Sequence, residues 1–138
     1  MKTNRKKSRE VLMQVLYQSL INKEDPLDTL SNLKDLIKDD DDYKDIGNLD
    51  YEYMENTIKN YTLHLSDIDK DIENNLINWK LDRISKLDLI ILRLSLCEIK
   101  YDSSIPNVVS VNEAIELSKT FCDDKSRKYI NGILTKFI

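Results

Sequence analysis

Residues Leu81 to Ile99 read LDRISKLDLIILRLSLCEI, and this stretch decides the fold class. Apolar side chains surround this segment on nearly all sides if it is helical. The main charged residues among them are Asp88, Arg93 and Glu98. A helix that is apolar around its whole circumference lies in the centre of a protein. We therefore predict a buried central helix. Because an unpaired buried charge is costly, we expect its charged side chains to find partners on other helices.

Amphipathic segments flank this helix on both sides. Apolar residues recur at intervals of three and four over residues 8–22, 26–38, 50–65 and 66–77, and this spacing predicts four helices. After Pro106, Ser110 and Glu113 have the spacing of a capping box, which predicts a helix that begins at Ser110. A last helix starts near residue 124 or 126, and Gly132 within it predicts a close helix crossing.

The composition agrees with an all-α fold of about seven helices. The 138 residues include only two glycines and two prolines, so the chain has few residues suited to the tight turns of a β-sandwich or barrel. No apolar run is long enough to span a membrane, and the basic N-terminus lacks the apolar run of a secretory signal. We therefore expect a cytoplasmic protein.

The sequence offers no set of catalytic or metal-binding residues. His64 is the single histidine, and Cys97 and Cys122 are too far apart in sequence for a CxxC motif, so we predict no metal, no cofactor and no enzymatic activity. The acidic run 39–42 lacks the glycine and glutamate of an EF-hand loop, and we interpret it as a solvated loop. We expect both cysteines to be reduced, packed thiols.

Positive charge is concentrated at the two ends of the chain. The net charge is −4, yet residues 1–9 contain five basic groups and no acid, and residues 125–138 contain four more and no acid. If the ends meet in space, they form one local anion-binding patch on an otherwise acidic protein.

Four segments, taken in order, identify a protein family more specifically than any one of them does alone. They read SREVLMQVLYQ from Ser8, LRLSLCEI from Leu92, PNVVSVNEAIELSK from Pro106 and RKYINGIL from Arg127. Together they resemble the NusB family of bacterial transcription antitermination factors over essentially the whole chain. The resemblance implies one RNA-binding domain made of a basic arm at residues 1–9, an N-terminal helical subdomain at about 10–77 and a C-terminal one at about 78–138.

The resemblance also implies partners. Family members bind single-stranded boxA RNA of nascent ribosomal RNA transcripts together with NusE, the ribosomal small-subunit protein, and join other Nus factors on RNA polymerase. The family includes monomers and dimers, so a homodimer is possible here.

Individual residues match the family's functional positions. The RNA-binding candidates are Lys2, Arg5, Lys6, Lys7 and Arg9, which fit the family's arginine-rich N-terminal motif, and Phe121, Lys128 and Tyr129 on the surface that faces RNA. Lys125 stands where relatives can carry an acid, and we expect it to contact a phosphate. Tyr17, Asp88 and Arg93 match positions near the NusE and RNA surfaces. Phe121 is also compatible with the core, and Asp88 with internal pairing to Arg93 or Lys86.

Two other functions are compatible with parts of this pattern. A similar helical module precedes the catalytic domain of some RNA cytosine methyltransferases, but the chain has no glycine-rich strand-turn-helix for S-adenosylmethionine. A duplex DNA reader would place its basic groups along one recognition helix, whereas here they lie at the chain ends.

Overall fold

The computed structural model describes residues 2–39, 48–76 and 81–138. Within these ranges the chain forms six α-helices and two short 3-10 turns, and no β-strand, which confirms the all-α prediction. The helices are α1 (Arg5–Asn22), α2 (Pro26–Asp39), α3 (Tyr51–Asn74), α4 (Lys86–Tyr101), α5 (Asn107–Phe121) and α6 (Asp124–Leu134), and the 3-10 turns are Leu81–Arg83 and Thr135–Phe137. The acidic run 39–42 falls almost entirely outside the described residues.

The chain divides into two compact units, residues 1–58 and 59–138. In the first unit α1 packs on α2, and the apolar side chains of Leu12, Leu16 and Leu30 are buried together with Met54 at the start of α3. The expected subdomain boundary near residue 77 borders a segment outside the described residues, and it stays a prediction.

In the second unit the helix α4 packs against both α5 and α6. All residues from Asp88 to Glu98 are buried, which confirms the central helix predicted from the sequence. Its charged residues have partners on other helices, also as predicted. Arg93 pairs with Asp69 on α3, and Glu98 accepts a hydrogen bond from the Ser110 hydroxyl on α5 at 2.9 Å.

Three expected helix boundaries are wrong. A single helix, α3, replaces the two expected at 50–65 and 66–77, because its apolar stripe of Met54, Ile58, Ile68 and Ile72 continues past Ser66 without a break in phase. The first helix begins at Arg5 rather than near Ser8. The central helix begins at Lys86, behind an N-cap at Ser85, rather than at Leu81.

The expected capping box at Ser110 is also wrong. The helix α5 begins three residues earlier, at Asn107, directly after Pro106. Ser110 is buried in the first turns of α5, where its hydroxyl donates to Glu98 and its carbonyl oxygen accepts from the Ser95 hydroxyl at 3.2 Å. Ser110 therefore supplies a hydrogen bond to the buried Glu98 carboxylate on α4 instead of capping the end of a helix.

The described helices do not form the close crossing expected at Gly132. Gly132 is exposed on α6, and no described atom of another element lies within 4 Å of the point where a Cβ would stand.

No helix in the described ranges is long and apolar enough to cross a membrane.

Candidate nucleic-acid interface

The N-terminal basic cluster comprises Lys2, Arg5, Lys6, Lys7 and Arg9. All but Lys2, which precedes the helix, lie in the first turns of α1. Lys2, Arg5 and Lys6 are exposed and Lys7 is half-buried, whereas Arg9 is only 4% exposed. The first turn of α1 contains no acidic residue. Since the N-terminal end of a helix carries a partial positive charge, the helix end and its exposed side chains together make a positive surface. Lys7 also pairs with Glu10 at 3.5 Å, which offsets part of that charge.

Arg5 is held in a fixed place on the first unit. Its guanidinium lies 4.2 Å from the centre of the Tyr53 ring and 3.0 Å from Asp50 Oδ2. Burial alone would raise the pKa of Asp50, but the Tyr53 backbone N–H and the Arg5 guanidinium outweigh it and hold that pKa below its ordinary value. Arg5 is therefore oriented by an aromatic face and a carboxylate, and part of its side chain stays open to solvent.

Arg9 has a different environment from the rest of this cluster. Its guanidinium lies 5.5 Å from the Tyr53 ring centre, on the buried side of α1. Its position suits it to support Tyr53, against which Arg5 also lies. Tyr53 and Asp50 were not among the residues that the sequence singled out for binding.

Backbone contacts fasten the start of α1 to the segment that precedes α3. The N–H of Asn4 donates to the Asn48 carbonyl oxygen at 2.8 Å, and the N–H of Asp50 donates to Ser8 Oγ at 2.7 Å. Asn4 also caps α1, since its side chain accepts from the Lys7 N–H at 2.9 Å. Residues 5–9 are therefore the first turns of an anchored helix, not an extended arm.

The α6 cluster, which comprises Phe121, Lys125, Lys128 and Tyr129, lies in the second unit. Asp123 caps α6 by accepting from the Ser126 N–H at 2.8 Å, and this hydrogen bond lowers the pKa of its carboxyl group. Lys125 and Lys128 are exposed, whereas Phe121 and Tyr129 are half-buried. Each unit thus presents exposed cations beside aromatic rings, the two kinds of group that bind phosphates and stack bases. That the two chain ends form one patch stays a prediction.

A cavity of about 230 Å³ lies where the first turns of α4 and α6 meet. We call it the Asp88 cavity, and its lining includes Ile84, Ser85, Asp88, Lys125 and Tyr129. Asp88 is only 7% exposed. Its Oδ2 accepts from the Ser126 hydroxyl at 3.1 Å, so its internal partner is neither Arg93 nor Lys86.

Two buried polar atoms belonging to this cavity's residues lack a hydrogen-bond partner among the described residues. They are Asp88 Oδ1 and the hydroxyl oxygen of Tyr129. Burial and the negative charge of Asp88 both raise the pKa of the Tyr129 hydroxyl, which therefore keeps its proton. Leaving a buried polar group unpaired costs about 1–3 kcal/mol, so these two atoms lower the stability of this part of the fold.

The other residues that the sequence singled out mainly contact other side chains of the same fold. Arg93 donates to both carboxylate oxygens of Asp69 at 2.8 Å and to the Tyr61 hydroxyl at 3.0 Å. Tyr17 is half-buried on α1. His64 stacks on Tyr101 with ring centres 3.7 Å apart.

Neither cysteine has the environment of a reactive thiol. Both are free, and burial is the largest cause that raises the pKa of each thiol to about 12. In Cys122 the negative charge of the neighbouring Asp88 raises the pKa further. Among the described residues no group of three or more histidine, cysteine or acidic side chains is placed to hold a metal ion.

Comparison with known proteins gives one consistent family. The sequence model of the NusB family matches residues 6–138. The transcription antitermination protein NusB of Clostridium botulinum is 46% identical over 142 aligned residues, which cover 98% of this chain and 99% of that protein.

Two solved structures have the same fold. That of NusB from T. maritima superimposes with a TM-score of 0.83 at 32% identity and covers 99% of this chain and 92% of its own. A crystal structure of the antitermination factors NusB and NusE in complex with double-stranded RNA gives a TM-score of 0.76 at 24% identity, with coverage of 96% and 93%, and it shows likeness of fold.

Proposed function

Because the chain belongs to the NusB family, we propose that it acts as a bacterial transcription antitermination factor that binds boxA RNA of nascent ribosomal RNA transcripts. The observation that carries the proposal is the 46% identity to a protein of that name along 98% of the chain. In this proposal NusE is the protein partner, and the complex joins other Nus factors on RNA polymerase in the cytoplasm.

The N-terminal basic cluster supports the RNA part of this proposal. Its exposed members at the positive end of α1 offer phosphate contacts. Arg5 is oriented by Tyr53 and Asp50 and has the planar guanidinium that binds a phosphate through two hydrogen bonds. We assign Arg9 a positioning role, because it lies under the same ring and is almost fully buried.

The α6 cluster supports base recognition. The half-buried ring of Tyr129 can stack a base, and the exposed Lys125 and Lys128 on the same helix can hold neighbouring phosphates. Phe121 is half-buried at the end of α5, and we propose that its exposed edge adds a second apolar contact.

We propose that NusE contacts Tyr17 and the surface near Asp88, and that Arg93 acts on this surface only indirectly. Tyr17 is partly exposed on α1 and is the most direct candidate. Arg93 is engaged by Asp69 and Tyr61, so its contribution is to hold α3 against α4 rather than to reach a partner. A homodimer remains an alternative state of the free protein.

The first experiment measures binding of a fluorescent boxA-like RNA with and without NusE from the same organism. A scrambled RNA, a double-stranded RNA and a duplex DNA serve as controls, each at two salt concentrations. We expect sequence-dependent binding to the single strand that NusE strengthens. Equal weak binding to all four nucleic acids, with no effect of NusE, would contradict the proposed function.

Alanine variants of Arg5, Lys6 and Lys7 test the N-terminal basic cluster. Each lost phosphate contact should flatten the dependence of log affinity on log salt by about 0.7 on a single strand. Lys70→Ala removes an exposed lysine on α3 and is the matched control. A slope that stays the same in the triple variant would show that this cluster does not contact the RNA backbone.

We also propose that the role is non-enzymatic. Both thiols are held in the protonated form, which is unsuited to nucleophilic attack on a base. Transfer of a methyl group from S-adenosylmethionine to ribosomal RNA by this chain alone would contradict that proposal.

A further inference from the structure

Asp50 is an acidic side chain in direct contact with the N-terminal basic cluster. Its Oδ2 accepts from Arg5 Nη2 at 3.0 Å and from Arg5 Nε at 3.4 Å. Its Oδ1 accepts from the Tyr53 N–H at 3.1 Å and thereby caps α3. The Asp50 side chain is 18% exposed, compared with 43% for Arg5. The carboxylate therefore takes one side of the guanidinium, while much of the arginine stays in contact with solvent.

These contacts leave one edge of the Arg5 guanidinium open. A guanidinium carries five N–H groups in one plane, and two of its edges can each donate a pair of parallel hydrogen bonds to an oxyanion. Asp50 occupies the edge formed by Nε and Nη2, and the Tyr53 ring covers one face at 4.2 Å. The edge formed by Nη1 and Nη2 has no second acceptor among the described residues. A phosphate can therefore bind Arg5 through two hydrogen bonds at this open edge alone.

The pair of Arg5 and Asp50 also has no net charge. The fields of its two charges nearly cancel at a distance, so the pair attracts a remote phosphate weakly. Lys6, by contrast, is exposed and has no ion-pair partner among the described residues, so it attracts a polyanion of any shape. Arg5 therefore favours a phosphate that reaches its open edge and adds little attraction at longer range.

A single strand and a duplex differ in how they can approach such a pair. Double-stranded DNA carries one negative charge about every 1.7 Å along its axis, in two rigid rows of phosphates. A flexible single strand can place one phosphate on the open edge and turn its neighbours away from Asp50. A rigid duplex cannot make that adjustment, so the carboxylate repels the phosphates next to the one at Arg5.

We propose that Asp50 is a positioning residue that acts through Arg5 to favour single-stranded RNA over a duplex. It does so by occupying one edge of the guanidinium and by cancelling its attraction at long range. Specificity is a difference between two affinities, and here it comes from weakening the wrong complex. This inference rests on the proposed function, in which Arg5 contacts the RNA backbone.

Asp50→Asn separates the two side chains and keeps the cap. The cap of α3 needs an oxygen that faces the Tyr53 N–H, so the amide nitrogen takes the place of Oδ2 and cannot accept from Arg5. The freed arginine should add about one phosphate contact to the complex with duplex DNA. That contact steepens the dependence of log affinity on log salt by about 0.9, which corresponds to about eightfold tighter binding at about 0.1 M salt. The boxA-like single strand already contacts Arg5, so its affinity should change by about twofold or less.

Glu52→Gln is the matched control. It removes one exposed acid from the same turn of α3 and changes the net charge by the same amount, but Glu52 has no ion pair with Arg5. The ratio of single-strand to duplex affinity should stay near the wild-type value in this variant. A fall equal to that in Asp50→Asn would assign the effect to net charge and overturn the inference. An unchanged salt dependence of duplex binding in Asp50→Asn would overturn it as well.

The double variant Arg5→Gln, Asp50→Asn shows whether Asp50 acts through Arg5. It has the same net charge as the wild type and no freed arginine, so it should bind duplex DNA as weakly as the wild type does. If it keeps the gain of Asp50→Asn, the inference is overturned. Asp50→Ser, which retains a capping side chain, replaces Asp50→Asn in these measurements if the asparagine variant does not fold.

The same measurements separate this inference from the proposed function. If boxA-like and scrambled RNA bind equally well, the proposed function is contradicted, but the comparison of single-stranded RNA with duplex DNA still decides the role of Asp50. If boxA-like RNA is preferred and Asp50→Asn leaves the ratio of single-strand to duplex affinity unchanged, the inference alone is overturned. A wild-type protein that binds no single-stranded RNA would overturn both.

Discussion

Replacing Arg93 by leucine should cost the protein about 3 kcal/mol of stability, even though the sequence pointed to this arginine as a partner-binding residue. Its guanidinium makes two hydrogen bonds of 2.8 Å to Asp69 and one of 3.0 Å to the Tyr61 hydroxyl. Burial would lower the pKa of Arg93, but the hydrogen bond to Asp69 and the neighbouring groups outweigh it, so the pKa is raised and the side chain remains charged.

The size of the loss follows from what the substitution leaves behind. Removing one member of a buried ion pair costs about 3–5 kcal/mol, because the other charge stays buried without its partner. The Asp69 side chain is 22% exposed, compared with 9% for Arg93, so water can partly solvate the remaining carboxylate. The cost should therefore fall at the lower end, about 3 kcal/mol.

Urea denaturation followed by circular dichroism measures this loss. Arg93→Lys keeps the charge but not the two-pronged hydrogen bond, and it should lose less stability than Arg93→Leu. The double variant Arg93→Leu, Asp69→Leu should recover part of the loss, because it leaves no isolated charge. A loss below about 1 kcal/mol in Arg93→Leu, the usual value of a surface ion pair, would refute the reasoning.

Four further predictions concern single sites. Folding lowers the pKa of Asp50, so its negative charge stabilises the fold at any pH above the ordinary pKa of 3.8, and this stabilisation is lost as the pH falls through the folded-state pKa. Denaturation curves should therefore show that the difference in stability between the wild type and Asp50→Asn becomes smaller in acid. Ser110→Ala removes the hydrogen bond to the buried Glu98 carboxylate and should lower the free energy of unfolding by about 1.5–3 kcal/mol, a loss that Ser110→Thr should reduce if the hydroxyl is what matters. Gly132→Ala should stabilise the protein by about 0.5–1 kcal/mol in the same assay, since the site is helical and open, and a destabilised variant would contradict the open site. Cys97, with a pKa of about 12, should resist alkylation by iodoacetamide near neutral pH until the protein is unfolded, and labelling of the native protein would contradict its burial.

Helices that bury a continuous apolar surface were predictable from the sequence, because periodicity reports burial directly. The central helix α4 and its need for partners on other helices are examples. Boundaries were less predictable. Ser110 and Glu113 have the spacing of a cap, but the group that Ser110 satisfies is Glu98, on another helix, and short-range patterns do not contain that information.

The candidate site was likewise only partly predictable from the sequence. Charge counts located the basic ends, and the resemblance pointed to Tyr129. Neither indicated that Arg9 is buried beside the Tyr53 ring. Neither indicated that Asp88 and Tyr129 line one cavity and that each has a buried polar atom without a partner among the described residues. These facts depend on contacts between residues far apart in the chain, which residue spacing alone does not specify.

The anchoring of α1 to residues 48–50 reduces the conformational entropy that the basic residues lose on binding. A disordered basic tail loses conformational freedom when it wraps a polyanion, and that loss reduces its affinity. Here the hydrogen bonds from Asn4 to Asn48 and from Asp50 to Ser8 already restrict the backbone at the start of α1. Arg5 and its neighbours can therefore bind an anion as a preorganised surface, with little further ordering on contact.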